Sequence, residues 1–200
     1  MGNNAKDAEL TERLVLIESM IAEGRRSAEG WGWTFVLWGV AYYVAFFWAG
    51  WGHFAYAWPV TVVAAGLVTT VGLWRHGGNR PSTTLGRAIG STWCAMGISM
   101  FILFDALGFG GHLADIRIFL AAASAMLGCA NFACSVMLKW KAEFGCALTW
   151  WTATVIASFG SVNAGILAFL VAIFLCQIVF GIYAMILESR WRGHGEAANG

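Results

Sequence analysis

Six stretches of about 20 residues run almost without charge through this chain, and a run of that length and apolarity is the signature of a helix that crosses a bilayer. They extend approximately from Trp31 to Trp51, Phe54 to Trp74, Ala88 to Leu107, Ile116 to Leu138, Ala142 to Phe159 and Ala164 to Leu187. In lipid the backbone must satisfy its own hydrogen bonds, so each run reads as helix even where Val, Ile, Phe and Thr would favour strands in water. Continuous apolarity excludes a membrane barrel, whose strands alternate. Composition agrees: 59% of the residues are hydrophobic and 12% charged, against roughly 45–50% and about 25% in soluble domains. Too few charges exist to build a polar shell, and those present are bunched between the runs. The expected fold class is therefore all-α, a polytopic helical bundle with the lipid bilayer as its first partner.

The connections alternate in kind. Three lack Lys and Arg almost entirely: Gly50 to His53, Gly108 to Asp115 and Gly160 to Asn163. The other side carries Lys6, Arg13, Arg25, Arg26, Arg75, Arg80, Arg87, Lys139, Lys141, Arg190 and Arg192, which is 11 of the 12 basic residues and leaves only Arg117 opposite. Basic loops stay cytoplasmic, so both termini are expected inside, and an even number of crossings agrees. The chain then divides into three helical hairpins, Arg25 to His76, Arg87 to Lys139 and Lys141 to Arg190, each with a tight outer turn marked by Gly or Asn. The expected organisation is a cytoplasmic amphipathic helix over 1–24, a six-helix transmembrane domain over 25–190 and a flexible cytoplasmic tail over 191–200. The first thirty residues carry charge throughout and contain no apolar core before a cleavage site, so the first span is expected to act as the insertion signal.

This layout and length resemble HdeD-type bacterial membrane proteins, and the stretch Ile178 to Leu187 (IVFGIYAMIL) has a similar composition. The resemblance implies architecture alone and transfers no function. The expected location is a bacterial cytoplasmic (inner) membrane.

Residues 7 to 23 carry a different signal. Leu10, Leu14, Ile17 and Ile21 recur at spacings of four, three and four, which places them on one helical face. Glu9, Glu12, Ser19 and Glu23 take the other face, and Glu9 with Arg13 forms an i,i+4 pair. Such a helix lies on the membrane surface, folds against short loops, or pairs through two short heptads with another copy or a cytoplasmic partner. It is expected to end near Gly24, before Arg25 and Arg26 meet anionic headgroups.

Polar groups at membrane depth come next. Asp105 is the acidic candidate, near the outer end of the third span and within reach of Arg117 in the first turn of the fourth. Asp115 is placed to cap that fourth helix. Asn131 and Gln177 lie deeper, and the cost of an unpaired amide in hydrocarbon directs both to the bundle interior. Trp31, Trp33, Trp74, Trp140 and Trp191 are expected in the inner aromatic belt and Trp48, Trp51 and Trp58 in the outer, while Trp150 and Trp151 fall mid-span.

No catalytic set emerges. His53, His76, His112 and His194 lie in loops or the tail, and no two share a helix face at metal-ligand spacing, so neither metal nor haem is expected. G-x-S-x-G, H-E-x-x-H and Walker sequences are missing. Five cysteines, all in apolar segments and in no C-x-x-C pair, read as reduced packing residues. A net charge of +1 gives no reason to expect nucleic acid. Two functions fit: a non-catalytic sensory, regulatory or scaffolding module that contacts a partner through its N-terminal helix, or a small-solute or ion transporter or channel subunit with a polar path between the third, fourth and sixth spans. No cofactor is expected in either.

Overall fold

The computed structural model describes residues 2–77, 84–109 and 115–197, with side chains described except at 2–8, 26–29, 53–55, 76–77, 105, 108–109 and 191–197. Every regular element among these residues is a helix: α1 (Gly2–Glu29), α2 (Gly32–Trp48), α3 (Phe54–Gly77), α4 (Thr84–Phe109), α5 (Ile116–Leu138) and α6 (Lys141–Phe159). The last, α7, begins as Val162–Ile173, passes through a π-helical turn at Phe174–Val179 and finishes as Phe180–Ala197. In that turn the Phe180 N–H reaches back five residues to the Leu175 carbonyl.

Local chemistry sets the boundaries. Between α2 and α3 the chain leaves helical geometry at Trp51 and Gly52, and Gly52 has φ of 90°, a conformation that residues with a Cβ rarely adopt. Asp115 caps α5 by accepting from the Arg117 N–H at 2.9 Å, and Ser161 caps α7 by accepting from the Ala164 N–H at 3.2 Å. At the far end of α5, Lys139 is left-handed, with φ of 49° and ψ of 41°. Its N–H bonds to the Val136 carbonyl and that of Trp140 to the Ser135 carbonyl, the paired bonds of a Schellman turn. Gly24 does not end α1. It lies inside the helix and is buried, and a Cβ there would collide with the Leu85 side chain.

The neighbours α2 and α3, α4 and α5, α5 and α6, and α6 and α7 pack against one another, whereas α1 packs on α4, α5 and the last stretch of α7. Trp38 Nε1 donates to Thr69 Oγ1 at 3.2 Å across α2 and α3. Phe104 and Phe119 meet at 4.5 Å between α4 and α5, and Gly165 lies against Ala157 between α7 and α6. The core follows α5, α6 and α7, where Leu120, Leu127, Leu138, Trp150, Phe169 and Ile173 are fully buried. One end of the bundle gathers Gly24 and Arg25 of α1, Leu85 of α4, Trp140 and Tyr183. The opposite end gathers Trp58, Phe104, Phe119 and Phe169.

Five segments are long and apolar enough to cross a membrane: Gly32–Gly52, Tyr56–Arg75, Thr84–Phe104, Ile116–Leu138 and Val162–Arg190. They mark an integral membrane protein. The expected fifth span, on α6, is not among them, because Lys141, Glu143, Trp150, Trp151 and three threonines dilute its 19 residues. Residues 191–197, expected as part of a tail, continue α7 as helix.

Candidate functional site

The stripe on α1 is an uncovered apolar surface outside the candidate spans. Leu10, Leu14 and Ile17 are 58%, 61% and 51% exposed, and Val15, Leu16 and Met20 beside them are exposed as well. Ile21 is half-buried, and the same face runs into Gly24 against Leu85. Arg13 holds Glu9 one turn back along the polar side. In water, each large aliphatic side chain left uncovered forfeits roughly 1.5–3 kcal/mol that burial would recover. The stripe is therefore a surface that association would stabilise.

The root of α1 is firmly seated. The Arg25 guanidinium lies 5.2 Å from the centre of the Trp140 ring, and Trp140 itself is buried against Phe180 at 5.0 Å. This corrects the expectation that Trp140 belongs to a lipid-facing belt, since the left-handed turn at Lys139 swings the indole inward under α1. Trp51 and Trp74, 80% and 83% exposed, do face outward, whereas Trp58 is half-buried on Phe119 at 4.6 Å.

Beneath the root lies a carboxyl that sequence reasoning passed over. Glu143, in the first turn of α6, is buried, and its Oε2 has no hydrogen-bond partner. Burying a charge without partners costs several kcal/mol, so this position bears on stability and function alike. A signal was present: Glu143, Cys146, Ala147, Trp150, Ala153 and Ala157 recur at helical spacing and form one buried face. The Cys176 thiol donates to the Cys146 carbonyl at 3.6 Å on this face. All five cysteines are free thiols.

Of the residues expected along a polar path, Arg117, Asn131 and Gln177 have described side chains. Asn131 is fully buried in α5, donates from Nδ2 to the Leu127 carbonyl at 2.8 Å, and leaves Oδ1 without a donor. Gln177 is buried in the π-helical turn of α7, where it packs on Gly39 of α2; a Cβ on that glycine would stand 2.8 Å from Gln177 Cβ. Arg117 is engaged by Asp115, with Nη2 2.7 Å and Nε 2.9 Å from Oδ2. That guanidinium holds the Asp115 carboxyl below its ordinary range, so the cap persists into acid and is lost only as pH falls through the lowered value. The Asp105 side chain lies outside the described residues, as do those of all four histidines. Among the described residues no cluster of three or more His, Cys, Asp or Glu could hold a metal ion.

Trp150 is fully buried, its Nε1 without an acceptor. Trp151 packs on Phe132 and over Gly128, where a Cβ would stand 2.5 Å from the indole. A shallow apolar groove of about 640 Å³ opens on α2 between Tyr43, Phe47, Trp48 and Trp51. With so few polar atoms it offers dispersion contacts to an acyl chain and no directional chemistry.

Comparison with protein-family models, curated proteins and solved structures finds no match to this chain. The likeness in layout to HdeD-type proteins thus gains no support from sequence. What stands is the class: an all-helical integral membrane protein with five candidate spans and a long N-terminal helix seated at one end of the bundle.

Proposed function

We propose that this chain is a non-catalytic module of a bacterial cytoplasmic membrane that senses, regulates or scaffolds, with α1 as its cytoplasmic contact. The observation that carries the reading is the exposure of Leu10, Leu14 and Ile17 on a helix whose root is fixed at Gly24 and Arg25. A fixed root and a free apolar stripe suit a docking arm. In this reading the bundle crosses six times as three hairpins with both ends inside, α6 being a shielded span between α5 and α7. Support comes from the end of the bundle that seats α1, which also holds the turn bearing Lys139 and Lys141 and the start of α4 with Arg87.

Removing residues 1–23 tests the assignment. Protein lacking them should insert normally and lose its co-purifying partner or shift to a smaller oligomer; unchanged partners and unchanged size would overturn α1 as the contact.

One observation favours a second reading, a small-solute or ion transporter or channel subunit. The π-helical turn at Phe174–Val179 carries the buried Gln177, and such turns recur at functional sites. Reconstituted protein would then dissipate an ion or solute gradient in a manner sensitive to Asp105→Asn and Gln177→Leu. Gradients that hold equally with and without the protein would remove this reading.

A further inference from the structure

We propose that the stripe of α1 is covered by α1 of a second copy of this chain, the two helices wound in parallel with Leu10 and Ile17 at d positions and Leu14 and Ile21 at a positions. The inference rests on the reading of α1 as the cytoplasmic contact and names its partner.

Orientation is imposed before any contact forms. Two copies inserted the same way into one bilayer send their N-terminal helices out of the same face, and each helix is rooted by Gly24 on Leu85 and Arg25 on Trp140. A parallel pair is the arrangement this tethering delivers. Spacings of four, three and four then fix the heptad register. In it Arg13 occupies a g position and Glu18 the e position of the following heptad. Those positions, five residues apart, face one another across a parallel seam, so Arg13 of each copy meets Glu18 of the other, twice by symmetry. Both side chains are exposed, and Arg13 is one turn from Glu9, which it holds within its own helix. The apolar seam and the charge pairing select the same register independently.

Two heptads alone are marginal in water. Here the helix is already formed over Gly2–Glu29 and its partner is confined to the same membrane, which raises the effective concentration of the second copy. The outer face of α4, the helix that seats Gly24, leaves Ser91, Ala95 and Ser99 exposed at successive turns, a small-residue row that lets a second copy approach closely. Val15 and Leu16, at b and c, fall outside a two-stranded seam, and this separates the proposal from a helix lying flat on lipid.

The test is oxidative cross-linking of the full-length protein in native membranes. Leu10→Cys, Leu14→Cys and Ile17→Cys should give a dimer band at least about fivefold stronger than Glu12→Cys, Ser19→Cys or the unsubstituted chain. Arg13→Glu in the Ile17→Cys background should lower the dimer about two- to fivefold, and adding Glu18→Arg should restore it. Val15→Gln with Leu16→Gln should leave it unchanged. Equal cross-linking at all positions, none at Leu10 and Ile17, or no rescue by the double exchange overturns the pair. If cross-linking fails while loss of residues 1–23 still releases a different protein, the docking reading survives and this inference alone falls; if neither responds, both fall.

Discussion

Lys139 pays for its place in the α5–α6 turn with a left-handed backbone, which costs a residue bearing a Cβ about 1–2 kcal/mol. The turn keeps it because the bonds from Lys139 and Trp140 to Val136 and Ser135 close α5 and deliver Trp140 beneath Arg25. Lys139→Gly should relieve the strain and stabilise the detergent-solubilised protein by about 0.5–1 kcal/mol, read as a higher midpoint of thermal unfolding by tryptophan fluorescence. Glu143 presents the opposite problem, since its burial is costly and Oε2 has no partner to offset it. Glu143→Gln keeps the shape and cannot ionise, so at alkaline pH it should be more stable than the parent by about 1–3 kcal/mol. A lower midpoint would mean that the carboxylate is held by a favourable interaction.

At the scale of elements, small residues decide how closely the helices approach. Gly32 and Gly181 bring α2 and α7 into backbone contact: a Cβ on Gly181 would stand 2.8 Å from the Gly32 carbonyl oxygen, and one on Gly32 would stand 2.7 Å from the Gly181 oxygen. Gly66 of α3 has nothing within 4 Å of where its Cβ would be. Both Gly66 and Gly181 are interior to helices, so the gain in helix propensity on going to Ala is shared and only packing separates them. Gly181→Ala should therefore destabilise by about 1–3 kcal/mol, while Gly66→Ala should be neutral or stabilising by about 0.5–1 kcal/mol, as the unfolding midpoints of the two variants will register. Elements of this kind were largely legible in the sequence: the run Ile116 to Leu138 coincides with α5, and the other runs lie within or beside their helices. Apolarity reports solvent, and lipid leaves helix as the one solution for an isolated segment. What the sequence concealed was direction. Trp140 reads as a belt residue until φ at Lys139 is known, and Gly24 reads as a helix stop until Leu85 is found against it. Neither the turn nor the neighbour is encoded within the local window that periodicity samples. Of the site, the stripe on α1 was legible because its spacing is local, whereas the packing of Gln177 on Gly39 depends on α2 lying against α7.

For the whole molecule the question is whether α6 crosses, because parity fixes where the two ends lie. Five crossings put the termini on opposite faces and six put them on the same one. Counting residues disfavours α6, yet the count charges each polar group as though it met lipid bare. Thr149, Thr152 and Thr154 return their hydroxyl protons to the carbonyls of Gly145, Leu148 and Trp150, so none is left unsatisfied. Trp150 and Glu143 are enclosed by protein, and Lys141 at the helix start can extend its ammonium to the headgroups. Nineteen residues at about 1.5 Å each reach roughly 28 Å, close to the hydrocarbon thickness of about 30 Å. Shielding on these terms makes a sixth crossing affordable. Reporters fused before Met1 and after Gly200 should both report cytoplasm, with one inserted at Gly111 reporting the other side. Termini on opposite faces would instead leave α6 packed against the bundle without spanning, and would place the end of α7 on the face away from α1.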